Sequence, residues 1–247
     1  MSGPPAAGPR QPDEPGSGTQ QERAAILLLP ALTAAAAGSP AIARVGSAIA
    51  QRLADGGRLF TFGAGHSWAV AAELCSRAGG PPAVTAMNLE DLRTAPRPSY
   101  LQLTDSMPER DPGNGPALLA LHGVRPGDAL LIASQSGRNG ASVEMARKAR
   151  QSGSYVAAIV SLAHCQAFPS RHPDGLKLPD VTDDVIDNHC PVGDAAVELS
   201  PGRRAAAAST ISGALIAQLL DVAIIAGLER RGRGAAPIRS ANIDAAG

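Results

Sequence analysis

The sequence predicts an α/β fold, a parallel sheet flanked by helices on both sides, and three observations carry that expectation. Short apolar runs alternate with helical patterns along the 247 residues, two of the runs stop abruptly in turns of glycine and hydroxyl residues, and each of those turns leads straight into a helix. Strands alternating with helices imply parallel pairing through right-handed crossovers. A chain of this length, 44% hydrophobic, carries one such domain with a sizeable core.

The elements follow in order. Residues 1–20 are rich in Pro, Gly, Gln and Ser, with one early arginine and no apolar stretch, so they read as a solvated tail rather than a signal peptide, and the folded domain is expected over residues 21–247. Gln21–Asp55 is Ala-rich and helical, broken around Gly38-Ser39-Pro40. Arg58–Phe62 reads as a strand and Ser67–Arg77 as a helix; Pro82–Met87 is a second strand, followed by a long Pro-rich loop over Asn88–Asp111, and loops of that length tend to carry function. Pro116–His122 is helical, Ala129–Ala133 a buried strand, Ala141–Ser152 a helix and Tyr155–Val160 a strand. Ser161–Pro179 reads as a loop with a short helical piece and Asp184–Ile186 as a short strand. Cys-Pro and Pro-Gly breaks make Asn188–Arg204 a loop, and Ser209–Arg230 is a long helix with a continuous apolar face.

Chemistry concentrates in the two turns. After Ala133 the chain reads Ser134-Gln135-Ser136-Gly137-Arg138-Asn139, where Gly137 lets backbone approach an anion and Ser134, Ser136 and Asn139 offer donors beside the positive end of the next helix. Without a lysine the seat suits a small phosphorylated metabolite better than a nucleoside triphosphate. After Phe62 the chain reads Gly63-Ala64-Gly65-His66-Ser67, placing Ser67 where a second hydroxyl reaches the same anion. In an open parallel sheet the ligand sits beyond the carboxyl ends of the strands, where both turns fall. The alternatives fail on spacing: Trp68 stands where a dinucleotide fingerprint needs a small residue, the second turn lacks the Gly-Lys-Ser/Thr ending of a Walker loop, and Ser134 occupies a glycine position of a nucleophile elbow.

The pair GAGHS (Gly63–Ser67) and SQSGRN (Ser134–Asn139), each closing a strand, resembles the sugar isomerase (SIS) domain, the phosphosugar-binding fold of aldose–ketose isomerases. The segments AELCSRAGG (Ala72–Gly80), SLAHCQAFPSRHPDG (Ser161–Gly175), DNHCPVGDAAVEL (Asp187–Leu199) and SANID (Ser240–Asp244) resemble a stand-alone bacterial branch of that family. The resemblance spans roughly residues 25–245. It implies a flavodoxin-like, Rossmann-like three-layer sandwich, a sugar-phosphate ligand, and a homodimer or higher homo-oligomer in which a histidine or glutamate reaches into the neighbour's site; His66, His164 and His172 are the candidates for that role. Asp91–Pro112 departs from the branch, which carries an acidic, histidine-containing segment there, and so points to a substrate specificity of its own.

Composition excludes other classes. Lys+Arg and Asp+Glu are equal at 22 each, with no basic stripe, so nucleic acid and anionic membrane surfaces are not expected partners. Six aromatic side chains give no stacking platform for bases, and no uninterrupted apolar run approaches eighteen residues. Cys75, Cys165 and Cys190 lack CxxC spacing, which argues for a reducing compartment, the cytoplasm. His164-Cys165 and His189-Cys190 are adjacent pairs whose side chains diverge, so neither a metal nor another cofactor is expected.

Aldose–ketose isomerisation needs a base beside C1 and C2 and a donor to polarise the carbonyl. Glu73, six residues after Ser67, is the first candidate base and resembles the glutamate that heptose phosphate isomerases place on the same helix, displaced by about one turn. Glu90, opening the long loop, and Glu198, closing DNHCPVGDAAVEL, compete for the role, with His66 as phosphate partner or sugar-ring acid. Gly65, Ser67, Ser134, Gln135, Ser136, Gly137 and Asn139 form the expected phosphate and sugar seat. The alternatives to an isomerase are a non-catalytic phosphosugar sensor, or an amino-sugar phosphate deaminase or lyase on the same scaffold.

Overall fold

Burial on both faces is what the continuous apolar runs require, and the sheet they build is sandwiched between two helical layers. The structure, a computed structural model, describes residues 20–37, 39–75, 77–93, 107–234, 236–240 and 242–243. The tail over residues 1–19, most of the long loop (94–106) and two positions of the SANID segment lie outside the described residues.

Two helices, α1 (Gln20–Ala37) and α2 (Ser39–Ala54), precede strand β1 (Leu59–Gly63), whose five residues are all buried. A single 3-10 turn, Gly65–Ser67, runs into the short α3 (Trp68–Glu73), and β2 (Val84–Met87) follows. Beyond the loop come α4 (Asn114–Leu121), β3 (Ala129–Ala133), α5 (Gly140–Gln151), β4 (Tyr155–Val160), α6 (Leu162–Ala167), α7 (Leu178–Val181) and β5 (Asp184–Asp187). The five strands are parallel in the order β2-β1-β3-β4-β5. In this order the chain reverses direction between β1 and β3, which makes their carboxyl ends the topological switch point where open α/β sheets bind ligands.

Alternation sorts the core. Leu59, Leu131, Ala157 and Ile159 pack on α2 and α8 (Ala208–Arg230) through Ile42, Val45, Ile49, Ile216, Leu220 and Ile224, while Phe60, Phe62, Leu130 and Ile132 face Leu118, Val143, Met145 and Leu178 on the other side. Helix α8 is long and apolar enough to cross a membrane by length and composition, yet half of it is buried in the fold, as a core helix. Two expectations need correction. The stretch read as a loop over Asn188–Arg204 contains an antiparallel hairpin, β6 (Ala195–Ser200) and β7 (Arg203–Ala207), forming a second, two-stranded sheet. Its Pro201-Gly202 pair is the hairpin turn, not a break in structure. The helix expected over Ser67–Arg77 ends at Glu73, because the chain turns back early to enter β2, Cys75 Sγ reaching the Val84 carbonyl at 3.1 Å.

The amino ends of β1 and β3 are tied by Asp128, which is fully buried and accepts from the backbone N–H groups of Arg58 and Arg125 at 2.9 Å each and from Arg58 Nη2 at 2.7 Å. Burial pushes this carboxyl up, but the hydrogen bonds from Arg58 and Arg125 and the Arg58 charge outweigh it, leaving Asp128 below the usual carboxylate range. A depressed carboxylate contributes stability above its unfolded pKa, about 4, and loses it as pH falls through the folded value. Asp128→Ala is expected to destabilise the fold by about 3 kcal/mol at neutral pH in urea unfolding, and the gap between variant and wild type should narrow below about pH 4. An unchanged gap across that range would show that the carboxylate's charge is not what holds the strand ends.

Candidate functional site

Parallel pairing of Gly63 with Ala133 brings the two hydroxyl turns out of the sheet side by side. In the first, Gly63 is demanded by close approach: a Cβ there would lie 2.2 Å from the Ser67 carbonyl oxygen. Gly65 takes a left-handed φ of +58°, so the turn folds back over the strand end and delivers Ser67 to the start of α3. In the second turn Ser134 Oγ accepts the Gly137 N–H at 3.1 Å, and Gly137 combines a φ of +59° with a tight fit in which a Cβ would meet Cys165 Sγ at 2.9 Å. A hydroxyl that accepts can still donate, so the Ser134 proton remains available to a ligand.

Between the turns lies a cleft lined by Ser67, Val70, Ser134, Gln135, Asn188 and Thr210, with Ala133, Ile159, Ser209 and Gly213 completing its walls. Of the residues expected in the phosphate and sugar seat, Ser67, Ser134 and Gln135 line this cleft. Gly65, Ser136, Gly137 and Asn139 shape the two turns outside the wall itself.

Two helix amino ends approach this region, and they differ. Asp194 already occupies the end of α8, its Oδ1 accepting the Ser209 N–H at 2.8 Å and its Oδ2 the Ser209 hydroxyl at 2.7 Å. At α5 the N-cap residue Asn139 makes no side-chain cap; its Oδ1 accepts from Arg171 Nη1 at 3.0 Å instead. Of the two, α5 is the end without a side-chain cap, at the end of the SQSGRN turn.

The proposed bases lie outside the cleft wall. Glu73 sits farther along the seam between α3 and α8, where its Oε1 accepts from Gln218 Nε2 at 2.9 Å and pairs with Arg77 at 3.2 Å. In the same seam, burial, reinforced by the Glu73 charge and opposed by Arg77, pushes the Asp221 carboxyl up to about 7. Glu90 follows β2 at the sheet edge, in a 3-10 turn packed on α4, with Arg93 Nη1 at 3.5 Å from its Oε2. Glu198 stands on β6, half exposed beside Arg204, not on a loop able to swing across the site. His66 is exposed within the first turn.

The other histidines divide. His172 is buried and pairs with Glu144 Oε2 at 3.1 Å, behind α5. His164 accepts the Gly193 N–H at 3.1 Å, and burial, with the Arg138 charge, holds it below the usual histidine value. His189 pairs with Asp187 at 3.2 Å. Sequence reading missed Asn188, Asp194, Ser209 and Thr210. The strand before Asn188 was legible, but the hairpin that returns the chain to Ser209 was not, so nothing in the sequence placed the start of α8 over the cleft.

A family model described as the SIS domain matches residues 28–161. A UPF0309 protein of Halalkalibacterium halodurans is 37% identical over 202 residues, 80% of this chain and 81% of that one. Among solved structures, a phosphoheptose isomerase from Neisseria gonorrhoeae superposes with a TM-score of 0.51 at 17% identity, covering 83% of this chain and 98% of that one. The Vibrio vulnificus NanR protein complexed with ManNAc-6P gives 0.51 at 15% identity, covering 87% and 68%. At these identities the two structures agree with the present one in fold. Family model, relative and architecture coincide, and the chain belongs to the SIS-domain family, in the branch of its UPF0309 relatives.

Proposed function

We propose that this protein binds a sugar phosphate at the β1/β3 switch point and interconverts its aldose and ketose forms through an enediolate, in the cytoplasm. The observation that carries the reading is the convergence of Ser67, Ser134 and Gln135 on one cleft, between turns that leave paired strands. Membership of the SIS-domain family and the isomerase among its structural neighbours support it. The phosphate takes the SQSGRN turn, where hydroxyl donors and the amino end of α5 meet. Ser134→Ala combined with Ser136→Ala is expected to weaken sugar-phosphate binding by about 2–3 kcal/mol in calorimetry; unchanged affinity would place the phosphate elsewhere.

For the proton transfer, Glu73 is the proposed base. It lies on the face of the sheet that carries the cleft, roughly 9 Å of helix rise beyond Ser67, a span comparable to an open-chain sugar anchored by its phosphate. Gln218 and Arg77 both bind Oε1, so Oε2 is the oxygen proposed to take the C2 proton of the aldose and return it at C1, while His66 exchanges the hydroxyl proton. Glu73→Gln keeps the shape and removes the basicity. It should abolish solvent-deuterium exchange at C2 while leaving binding nearly intact; persistence of exchange would move the role to Glu90 or Glu198. Mass-resolved chromatography over hexose, pentose, heptose and hexosamine phosphates reads the reaction itself. Isomers of unchanged mass support the proposal, loss of water or ammonia identifies a lyase or deaminase, and binding without turnover a sensor.

A homo-oligomer completes the proposal. Leu29 on α1 and Ile211 and Val222 on α8 are exposed apolar side chains, Val222 at 67%, on helices that pack together. Light scattering should give at least twice 25.0 kDa; a monomer mass at working concentration would reject it.

A further inference from the structure

We infer that Asn188 is a positioning residue that turns the Gln135 carboxamide so that its N–H donors face the ligand; the inference deepens the phosphosugar reading and rests on it. Asn188 follows β5 and is 3% exposed. The backbone N–H of Cys190 can only donate, and it lies 3.0 Å from Asn188 Oδ1, so that atom is the acceptor end of the amide. Asn188 Nδ2 therefore points the other way and donates to Gln135 Oε1 at 2.8 Å. With Oε1 turned to Asn188, the Gln135 Nε2 is held on the opposite side of its amide. Nε2 is buried and has no hydrogen-bond partner among the described residues, and both residues line the cleft.

The frame around the pair is rigid. Gln135 accepts the Ser161 N–H on its backbone carbonyl at 3.1 Å, and the Asn188 N–H donates to the Val160 carbonyl at 2.8 Å, so both residues are anchored to the end of β4. A buried donor without an acceptor is destabilising, and an oxygen of a bound ligand relieves it. Because Gln135 follows Ser134 in the turn, the acceptor is assigned to the phosphate group.

A double-mutant cycle read on inorganic phosphate tests this. Gln135→Met removes the donor at nearly constant length and should weaken phosphate binding about tenfold, the order expected for a hydrogen bond to a charged group. Asn188→Ser keeps a hydroxyl that can accept the Cys190 N–H but cannot reach Gln135, and should weaken binding several-fold in a protein that circular dichroism shows still folded. The double variant should bind no more weakly than Gln135→Met alone, since Asn188 acts through Gln135. In the wild type the Gln135 side-chain amide protons should shift on phosphate addition. Full phosphate affinity in Gln135→Met, losses that simply add, still amide signals, or no phosphate binding by the wild type would each overturn the inference. Failure of turnover with every sugar phosphate would instead reject the isomerase reading and leave the cycle intact.

Discussion

Everything at this site depends on β1 and β3 being hydrogen-bonded neighbours although α3, β2 and α4 intervene between them in sequence. Register then fixes the ends: with Gly63 paired to Ala133, neither turn can shift along its strand without carrying every alternate side chain to the wrong face of the sheet. The two apolar layers hold that register. Phe60 and Phe62 face one layer and Leu59 the other, so a slip of one residue would exchange them. Packing of the core and placement of Ser67 against Ser134 are thus one constraint. The glycines serve it locally, since Gly63 admits the Ser67 backbone where any side chain would collide.

Charge decides which of the two nearby helix ends can serve an anion. A carboxylate at an amino end satisfies N–H groups and opposes the dipole, and Asp194 does both for α8. At α5 the equivalent acceptor is drawn away by Arg171, whose own backbone N–H donates to the Arg138 carbonyl at 2.9 Å. The loop between α6 and α7 thereby holds Asn139 off the helix it precedes. Leu178 N–H on the Gly137 carbonyl, at 2.8 Å, fastens the other end of the same loop to the turn.

Most of the sheet was legible because buried parallel strands are continuous apolar runs, and Leu59–Gly63, Ala129–Ala133 and Tyr155–Val160 are that. The two turns were legible because glycine and serine at strand ends have a local reason. The β6–β7 hairpin was not. Its strands are largely exposed, β7 reads Arg-Arg-Ala-Ala-Ala with no β-branched residue, and its stability comes from pairing rather than from a pattern. Missing it hid where the start of α8 lies relative to the sheet, and with it the place of Ser209 and Thr210 at the cleft. Asn188 was hidden differently: its role comes from which neighbour accepts from it, and that is set by the ends of β3 and β5 converging across β4. Periodicity carries no such information.

Buried side-chain polar atoms without hydrogen bonds are uncommon enough to need separate reasons, and the described residues hold four. Glu90 Oε2 has the Arg93 guanidinium 3.5 Å away, and Arg138 lays its guanidinium over the Phe168 ring at 5.5 Å, so each has an electrostatic partner short of a hydrogen bond. Asp221 answers its burial by holding a proton to about pH 7, which removes the charge that would otherwise be left without compensation. Gln135 has neither remedy, because an amide is neutral already and its oxygen is committed to Asn188. Of the four it alone lines the cleft, where an acceptor brought in by a ligand would satisfy it.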